Sequence, residues 1–299
     1  MAPQRLTVLL LVLILCWAGT LQAQTLGIRY QLGESTNDAR YSYFLTILNM
    51  ALEATRHDYG PYQLIRPETG TSQQRAFELV SSGQGLDIFW GMSSIRREHL
   101  AHAVPFPLMR GLLAVRVPLV PKNKTQIFND IDSVKALSAL TAVQGAGWPD
   151  TRILRHNGLP VLTSSRYESL FDMLRRGRAD YFPRSVMEVW DELNSPLGQD
   201  LSISSKLLLV YKGPIYFFVH KENHALAERL QVGLERLWRS GRFNSLFFSR
   251  PEIRKALALI NNRGYQVIRL SAPWRLPSLD KVQDAYWLPL PAQAREQRR

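Results

Sequence analysis

Apolar positions in the first half of the chain follow two different patterns. Some form short continuous runs of strand length, and others recur every three or four positions, as on one face of a helix. A helix is expected over residues 72–81, beginning at Ser72 and ending at Gly83. Another is expected after Asp38, with Tyr41 and Phe44 on its apolar face. The predicted strands are residues 26–30, 62–65, 86–92 and 112–120.

The second half repeats this alternation after a break at Pro118, Pro121 and the polar residues 122–124. Alternating strands and amphipathic helices are typical of layered α/β proteins, so the fold class is predicted as α/β. The break marks the first crossing from one unit to a second. The predicted strands here are residues 140–144, 161–163, 180–183, 207–211 and 215–220, and the predicted helices are residues 150–156, 167–176 and 225–239.

The two ends of the chain differ from the rest. Residues 1–23 have a basic start, a short apolar run and a small, polar exit, which is the pattern of a secretory signal cleaved after Ala23. Cys16 lies in the apolar run, so the mature chain would contain no cysteine and no disulfide. We therefore expect a soluble periplasmic protein. Residues 288–299 are expected to form a flexible basic tail.

The chain is strongly basic, with 37 Lys and Arg against 25 Asp and Glu and a formal net charge of +12. Such a charge favours nucleic acid, anionic lipid or an acidic solute as a partner. Export makes nucleic acid an unsuitable partner. Part of the excess is also local, in the cluster at residues 175–178 and in the tail, so a solvated basic surface explains it as well.

The most informative stretch is residues 86–116. A buried strand ends at Met92 and opens into Ser93 and Ser94 at the start of a helix. A helix start offers unpaired backbone N–H groups and a partial positive charge, which suit a ligand. Small-molecule binding is therefore favoured over catalysis.

Several segments, in their order along the chain, resemble family 3 solute-binding proteins, the periplasmic receptors of amino-acid-type ABC importers. The resemblance covers roughly residues 26–248. It implies a two-lobed periplasmic-binding-protein fold (type II), whose lobes are joined by two crossing strands and close on a ligand. The segments that carry it are residues 87–92, Gln144-Gly145-Ala146, residues 167–170, Gly177-Arg178-Ala179-Asp180, residues 216–221 and Ser240-Gly241-Arg242-Phe243. The implied organisation is a signal at 1–23, lobe 1 at 24–118 and 212–287, lobe 2 at 119–211 and the tail at 288–299.

The sequence departs from the resemblance at the positions that would hold an α-amino acid. Family members grip the carboxylate with a first-lobe Arg, where this chain has Glu98 or His99 with Arg97 just upstream. They hold the ammonium group with a second-lobe acid, where this chain has Arg184 beside Ser185. Because an Arg repels an ammonium group, a small polar or anionic solute is the expected ligand.

Ten residues are candidate ligand contacts, each with a structural alternative. Trp90 and Trp148 would stack on a ligand or pack in the core; Ser93 and Ser94 would bind it or cap a helix. Residues 144–147 would form an anion nest or an ordinary turn. Arg184 would bind the ligand or pair on the surface, and Arg40 would bind it or be solvated. The predicted ligand-binding residues are Arg40, Trp90, Ser93, Ser94, Arg97, Gln144, Gly145, Gly147, Trp148 and Arg184.

No recognisable catalytic constellation, cofactor motif or metal motif stands in the sequence. His99 and His102 lack carboxylates at metal-binding spacing. The leading hypothesis is a monomeric solute receptor, not an enzyme, that serves an inner-membrane permease or a sensor. The alternatives are a dehydratase-like enzyme with Glu34, Glu98 or Glu188 as general acid, and an interaction protein with a degenerate cleft.

Overall fold

The computed structural model describes residues 25–32, 40–68, 70–204, 206–261 and 264–289. The strands are β1 (Leu26–Arg29), β2 (Tyr62–Ile65), β3 (Ile88–Met92), β4 (Ala101–Val104), β5 (Val115–Pro121), β6 (Ala142–Gly145), β7 (Val161–Ser164), β8 (Phe182–Ser185), β9 (Leu201–Ile203), β10 (Leu207–Val210), β11 (Ile215–His220) and β12 (Gln266–Arg269). The α-helices are α1 (Arg40–Glu53), α2 (Arg56–Tyr59), α3 (Gln73–Ser81), α4 (Ile95–Leu100), α5 (Val134–Leu137), α6 (Pro149–His156), α7 (Tyr167–Arg175), α8 (Val189–Leu193), α9 (His224–Arg239), α10 (Arg242–Ser249) and α11 (Pro251–Ile260). Short 3-10 helices lie at Leu112–Ala114, Lys122–Phe128, Pro196–Gly198, Pro277–Lys281 and Asp284–Tyr286.

Lobe 1 is built on a sheet whose strands come from the chain before and after lobe 2. β1 pairs in parallel with β2, and a bridge from Tyr30 to Ile88 continues the sheet to β3. β11 then lies between β3 and β4, antiparallel to both. The chain therefore leaves lobe 1 after β4 and returns to it in β11.

Lobe 2 has a second sheet of mixed direction. β6 pairs in parallel with β7, and a bridge from Ala142 to Tyr181 joins this pair to the segment that leads into β8. β8 and β9 both pair antiparallel with β5. The buried side chains Leu170, Phe171 and Leu174 of α7 face the core, as their spacing predicts.

The lobes are joined by β5 and β10, which run antiparallel to each other. β12 adds a third strand to this hinge, because it pairs in parallel with β10 from Leu207 to Val210. Residues 266–269 lie within the predicted second part of lobe 1, residues 212–287, and their backbone groups pair with β10 in the hinge sheet.

Helix α9 closes lobe 1 by packing against α1. Its buried face includes Leu226, Leu230, Leu234 and Leu237, the four residues that its spacing predicts. Gly233 lies at the helix contact, where a Cβ atom would come within 2.3 Å of the carbonyl oxygen of Ala51. The two helices can therefore approach this closely only because position 233 has no side chain.

Most predicted elements are present with shifts of one or two residues, and the two-lobed α/β fold is confirmed. The predicted strand 112–120 begins instead with a 3-10 turn, after Gly111 adopts a left-handed conformation with φ 85°. The sequence did not predict β4, α11 or β12. The predicted signal at 1–23 and residues 290–299 of the tail lie outside the described residues. Within the described part of the chain, no helix is long and apolar enough to cross a membrane.

Gly233→Ala should lower the free energy of unfolding by about 1–3 kcal/mol. Alanine is the better helix former, but the added Cβ would push α9 away from α1 and open the surrounding core. Urea unfolding followed by circular dichroism measures this difference. Glu228→Ala, on the exposed side of the same helix, is the control and should change stability little. Equal stabilities of the two variants would contradict the predicted close contact.

Candidate functional site

A cleft with a cavity volume of about 50 Å³ lies between the two lobes beside the hinge. Both lobes and the hinge contribute to its walls, which makes it the point at which lobe movement would change the site. The lining residues used below are Gln31, Phe44, Gln73, Trp90 and Met92 from lobe 1, Arg116 from the hinge, and Trp148, Asp150, Arg184 and Glu188 from lobe 2.

The hinge side of the cleft is organised around Arg116 of β5, which is 3% exposed. Its Nη2 donates to Asp150 Oδ1 at 2.5 Å, and its Nη1 donates to Glu188 Oε2 at 3.4 Å. Its Nε donates to the Tyr211 hydroxyl at 2.8 Å, and that hydroxyl donates in turn to Asp150. Every nitrogen of this buried guanidinium therefore has an acceptor.

The lobe 2 side is organised around Arg184 of β8, which is 1% exposed. Its Nε donates to both carboxylate oxygens of Glu192, at 2.8 and 2.9 Å. Its Nη2 lies 2.5 Å from Glu192 Oε1 and 2.9 Å from Glu188 Oε2. Tyr167 donates a further hydrogen bond to Glu192 at 2.5 Å. Glu188 thus joins the two arginines into one ion network.

Pairing decides the protonation of both arginines. Burial lowers the pKa of Arg116, but the charges of Asp150 and Glu188 and the Tyr211 hydroxyl outweigh burial, and the pKa is raised. Burial likewise opposes the charge of Arg184, and Glu188 and Glu192 raise its pKa well above the ordinary value. Both side chains are therefore charged at neutral pH.

One donor of the network is left over. Arg184 Nη1 is buried and has no hydrogen-bond partner among the described residues, although Arg184 lines the cleft. An aromatic cage surrounds this guanidinium, with its carbon 4.7 Å from the Phe182 ring centre and 5.4 Å from that of Trp148. A buried charged donor without an acceptor is costly, so the geometry suits an oxygen of a bound ligand.

The lobe 1 wall is largely aromatic, and a side chain of the same wall fixes the backbone of its central residue, Trp90. Trp90 of β3 packs against Phe44 and Tyr41, with ring centres 5.8 and 6.0 Å apart. The Gln31 side chain donates to Trp90 O at 3.0 Å and accepts from Trp90 N at 3.4 Å. These two hydrogen bonds hold the backbone of Trp90 at the cleft, as pairing with a neighbouring strand would.

The structure brings three of the ten predicted residues to the cleft, namely Trp90, Trp148 and Arg184. Arg184 is not available as a free cation, because Glu188 and Glu192 already pair with it. The Arg40 side chain lies outside the described residues.

The serines and Arg97 have other partners in the structure. Ser94 caps α4 by accepting from Arg97 N at 3.3 Å, and Ser93 donates to Glu98 at 2.6 Å. Arg97 is buried beneath the lobe 1 wall, where its Nη1 donates to Met92 O at 2.7 Å and its Nη2 donates to Gln73 at 2.8 Å. It therefore supports a cleft-lining strand and a cleft-lining side chain.

The glycine turn after β6 lies at the mouth of the cleft. Gly145 lies under Trp148, where a Cβ atom would come within 2.3 Å of the indole ring. Gly147 has φ 80°, and a Cβ atom there would lie 2.6 Å from Gln74 Oε1 of lobe 1. The lobes therefore touch across the mouth at Gly147, which makes this a closed conformation. Gln144 is fully buried, its amide has no hydrogen-bond partner among the residues that the structure describes, and it does not line the cleft.

Sequence reasoning missed Arg116, Asp150 and Glu188 as cleft residues. The sequence predicts Asp150 at the start of a helix and indicates Glu188 only as a general acid of the alternative enzyme. One usable indication was an Arg in the middle of the apolar run 112–120, since a charge inside a buried strand requires a buried partner. Within the described part of the chain, no group of three or more His, Cys, Asp or Glu residues is arranged to hold a metal.

Comparison with solved structures agrees with this architecture. An ancestral arginine-binding protein bound to arginine matches with a TM-score of 0.55 at 14% identity, covering 76% of this chain and 98% of that one. The chain has the two-lobed periplasmic-binding-protein fold. A Salmonella typhimurium periplasmic binding protein with high arginine specificity matches with a TM-score of 0.56 at 14% identity, over 76% and 99% of the two chains. A histidine kinase sensor domain matches with a TM-score of 0.55 at 13% identity, over 76% and 96%.

These identities are low, so the likeness concerns the fold. The resemblance predicted from the sequence is confirmed at that level. No protein-family model and no curated protein sequence matches the chain. Ligand and partner must therefore be argued from this chain's own residues.

Tyr211→Phe should lower the free energy of unfolding by about 1–3 kcal/mol, because Arg116 Nε would lose its buried acceptor and Asp150 a donor. Urea unfolding at neutral pH provides the measurement. Tyr265→Phe is the matched control, since Tyr265 is half-buried and no side-chain hydrogen bond of Tyr265 is seen within the described residues. A loss as small as that of the control would show that the hydroxyl does not support the network.

The same substitution should reduce the sensitivity of stability to alkaline pH. Burial raises the pKa of Tyr211 well above its ordinary value, so the folded phenol keeps its proton while the unfolded one releases it near pH 10. Its contribution is complete below pH 10 and is lost as the pH rises further. Between pH 9 and pH 11 the wild type should lose about 1.4 kcal/mol more than Tyr211→Phe. Parallel curves would contradict a protonated buried phenol.

Proposed function

We propose that this protein is a solute-binding receptor that closes its two lobes on a small polar molecule. It would deliver that molecule to the inner-membrane permease of an ABC importer or present its closed form to a sensor. The fold, the cleft at the hinge and the contact between lobes at Gly147 support this proposal. The signal-like residues 1–23 support a periplasmic location, and we propose that the receptor acts as a monomer.

The observation that carries the proposal is the unpaired Nη1 of Arg184. The guanidinium is held rigidly by Glu188 and Glu192, so its free N–H groups have a fixed direction. Because Arg184 lines the cleft, a carboxylate, carbonyl or hydroxyl oxygen of a solute there would supply the missing acceptor. Rigid, desolvated donors of this kind give orientation and selectivity to binding sites.

The charges of the network narrow the class of ligand. Two guanidinium groups, of Arg116 and Arg184, are buried with three carboxylates, of Asp150, Glu188 and Glu192. This side of the cleft therefore has no surplus positive charge to attract a polyanion. We propose a neutral or zwitterionic solute that gives one oxygen to Arg184 and donor groups to Asp150 and Glu188. One structural neighbour is bound to arginine, whose carboxylate and α-ammonium groups are of this zwitterionic kind.

The enzyme alternative is less well supported, because a dehydratase needs a general acid in the cleft. Glu188 is held between two guanidinium groups and has no proton to give. Glu98 accepts from Ser93 and Ser278 and does not line the cleft. Glu34 lies outside the described residues.

Arg184→Lys should weaken solute binding roughly 10–100-fold, the loss expected for a hydrogen bond to a charged group. Native mass spectrometry of gently purified protein, followed by thermal shifts with amino acids, organic acids and phosphorylated solutes, identifies the solute. Calorimetric titration with that solute then measures the affinity. Arg175→Lys, at an exposed ion pair with Asp172, is the control and should bind as the wild type does.

Glu192→Gln separates the effect of losing the Arg184 Nη1 donor from the effect of general damage to the ion network. It keeps Arg184 Nη1 in place and removes one carboxylate charge, so it should weaken binding less than Arg184→Lys does. Unchanged affinity in a folded Arg184→Lys protein would overturn the assignment of this residue. No co-purified mass and no thermal shift across the panel would favour the interaction protein with a degenerate cleft.

A further inference from the structure

The end of the chain forms a third connection between the lobes. Residues 264–289, here called the C-terminal strap, begin at the hinge, where β12 pairs with β10 and Leu270 N donates to Val210 O at 2.9 Å. From this point the strap contacts lobe 2 first and lobe 1 afterwards. A two-stranded hinge leaves rotation of the lobes free, whereas a segment fastened to both lobes restricts it.

The lobe 2 attachment is small and close to solvent. The Asn157 side chain, just after α6, donates to Ser271 O at 2.8 Å and accepts from Ser271 N at 3.1 Å. Three residues further on, Trp274 packs under the guanidinium of Arg152, 5.3 Å from ring centre to carbon. Arg152 and Asn157 both belong to the α6 region, so the strap holds one rigid element of lobe 2.

The first lobe 1 attachment is at α4. Ser278 donates to both oxygens of Glu98, from its backbone N at 3.0 Å and from its hydroxyl at 2.6 Å. Glu98 also accepts from Ser93, which follows the cleft strand β3. The strap is therefore linked by two hydrogen-bonded steps to the lobe 1 wall of the cleft.

The second lobe 1 attachment is larger and more deeply buried. Arg110 has the left-handed φ of 50° and donates to the carbonyl oxygens of Tyr286 and Ala285, at 3.3 and 3.2 Å. The Tyr286 ring packs against Phe106, with centres 4.5 Å apart, and is 3% exposed. Because this attachment has a buried ring and two hydrogen bonds from one guanidinium, it is stronger than the attachment to lobe 2. The strap would therefore detach from lobe 2 first.

We propose that the C-terminal strap restrains opening of the cleft and biases the receptor towards its closed conformation. When lobe 2 rotates away from lobe 1, α6 moves relative to α4, and the short segment between Ser271 and Ser278 must stretch or detach. Detachment costs the three hydrogen bonds between Asn157 and Ser271 and the Trp274 contact, which the closed conformation keeps. Slow release of the solute is the functional consequence, and only this consequence rests on the proposed function.

Distance measurements on the solute-free protein test the restraint directly. Gln84→Cys in lobe 1 and Arg176→Cys in lobe 2 place spin labels at exposed positions, and the chain from residue 24 onward has no other cysteine. Double electron–electron resonance then gives the distribution of distances between lobes. Asn157→Ala with Trp274→Ala should raise the ratio of open to closed molecules roughly tenfold, as the loss of these contacts would.

Two further variants make the result decisive. Arg152→Ala removes the other partner of Trp274 from an exposed position and should shift the distribution in the same direction. Asn129→Ala is the control, because among the described residues that side chain bonds only to Gln126 in its own turn. Distributions that coincide for wild type, control and strap variants, all folded by circular dichroism, would overturn the proposal. Because no solute is present, failure of the proposed function would leave this result unaffected.

Discussion

The structure of the cleft depends on one requirement, that the buried arginines Arg116 and Arg184 have carboxylate partners. A guanidinium this far from water is tolerated only when acids and hydrogen-bond acceptors surround it. Asp150 of α6 and the two acids at α8, Glu188 and Glu192, meet this need, and Tyr211 and Tyr167 add hydroxyl groups. The network thereby fixes the hinge, α6, β8 and α8 relative to one another.

This rigidity has a consequence for binding. Within the described residues, the network leaves Arg184 Nη1 as a buried donor without an acceptor, and Arg184, Asp150 and Glu188 all line the cleft. The opposite wall is aromatic and is held by the Gln31 bonds to Trp90. In the proposed receptor, a solute would meet directional polar groups on lobe 2 and aromatic side chains on lobe 1. Closure of the lobes would bring the two surfaces together, so that hinge motion would be part of recognition.

The hinge itself is broader than a two-stranded connection. β12 lies beside β10, and the C-terminal strap continues to both lobes. The proposed solute contacts and the strap contacts are thus separate. They lie at opposite ends of α6. Asp150 at its start faces the cleft, and Asn157 beyond its end binds the strap. The same helix therefore connects the cleft to the strap.

Local patterns were sufficient to predict the secondary structure of both lobes and the order of their elements. The apolar spacing of α9, the capping by Ser72 and the uninterrupted runs of β3 and β11 are properties of neighbouring residues, so the sequence alone determined them. Tertiary structure decided the rest. Which acid pairs with Arg184, which serine binds Glu98 and where residues 266–269 add a strand depend on contacts between distant segments, with Arg110 and Tyr286 separated by 176 positions. Periodicity carries no information about such pairs, because burial and pairing of charges are settled only when the lobes pack.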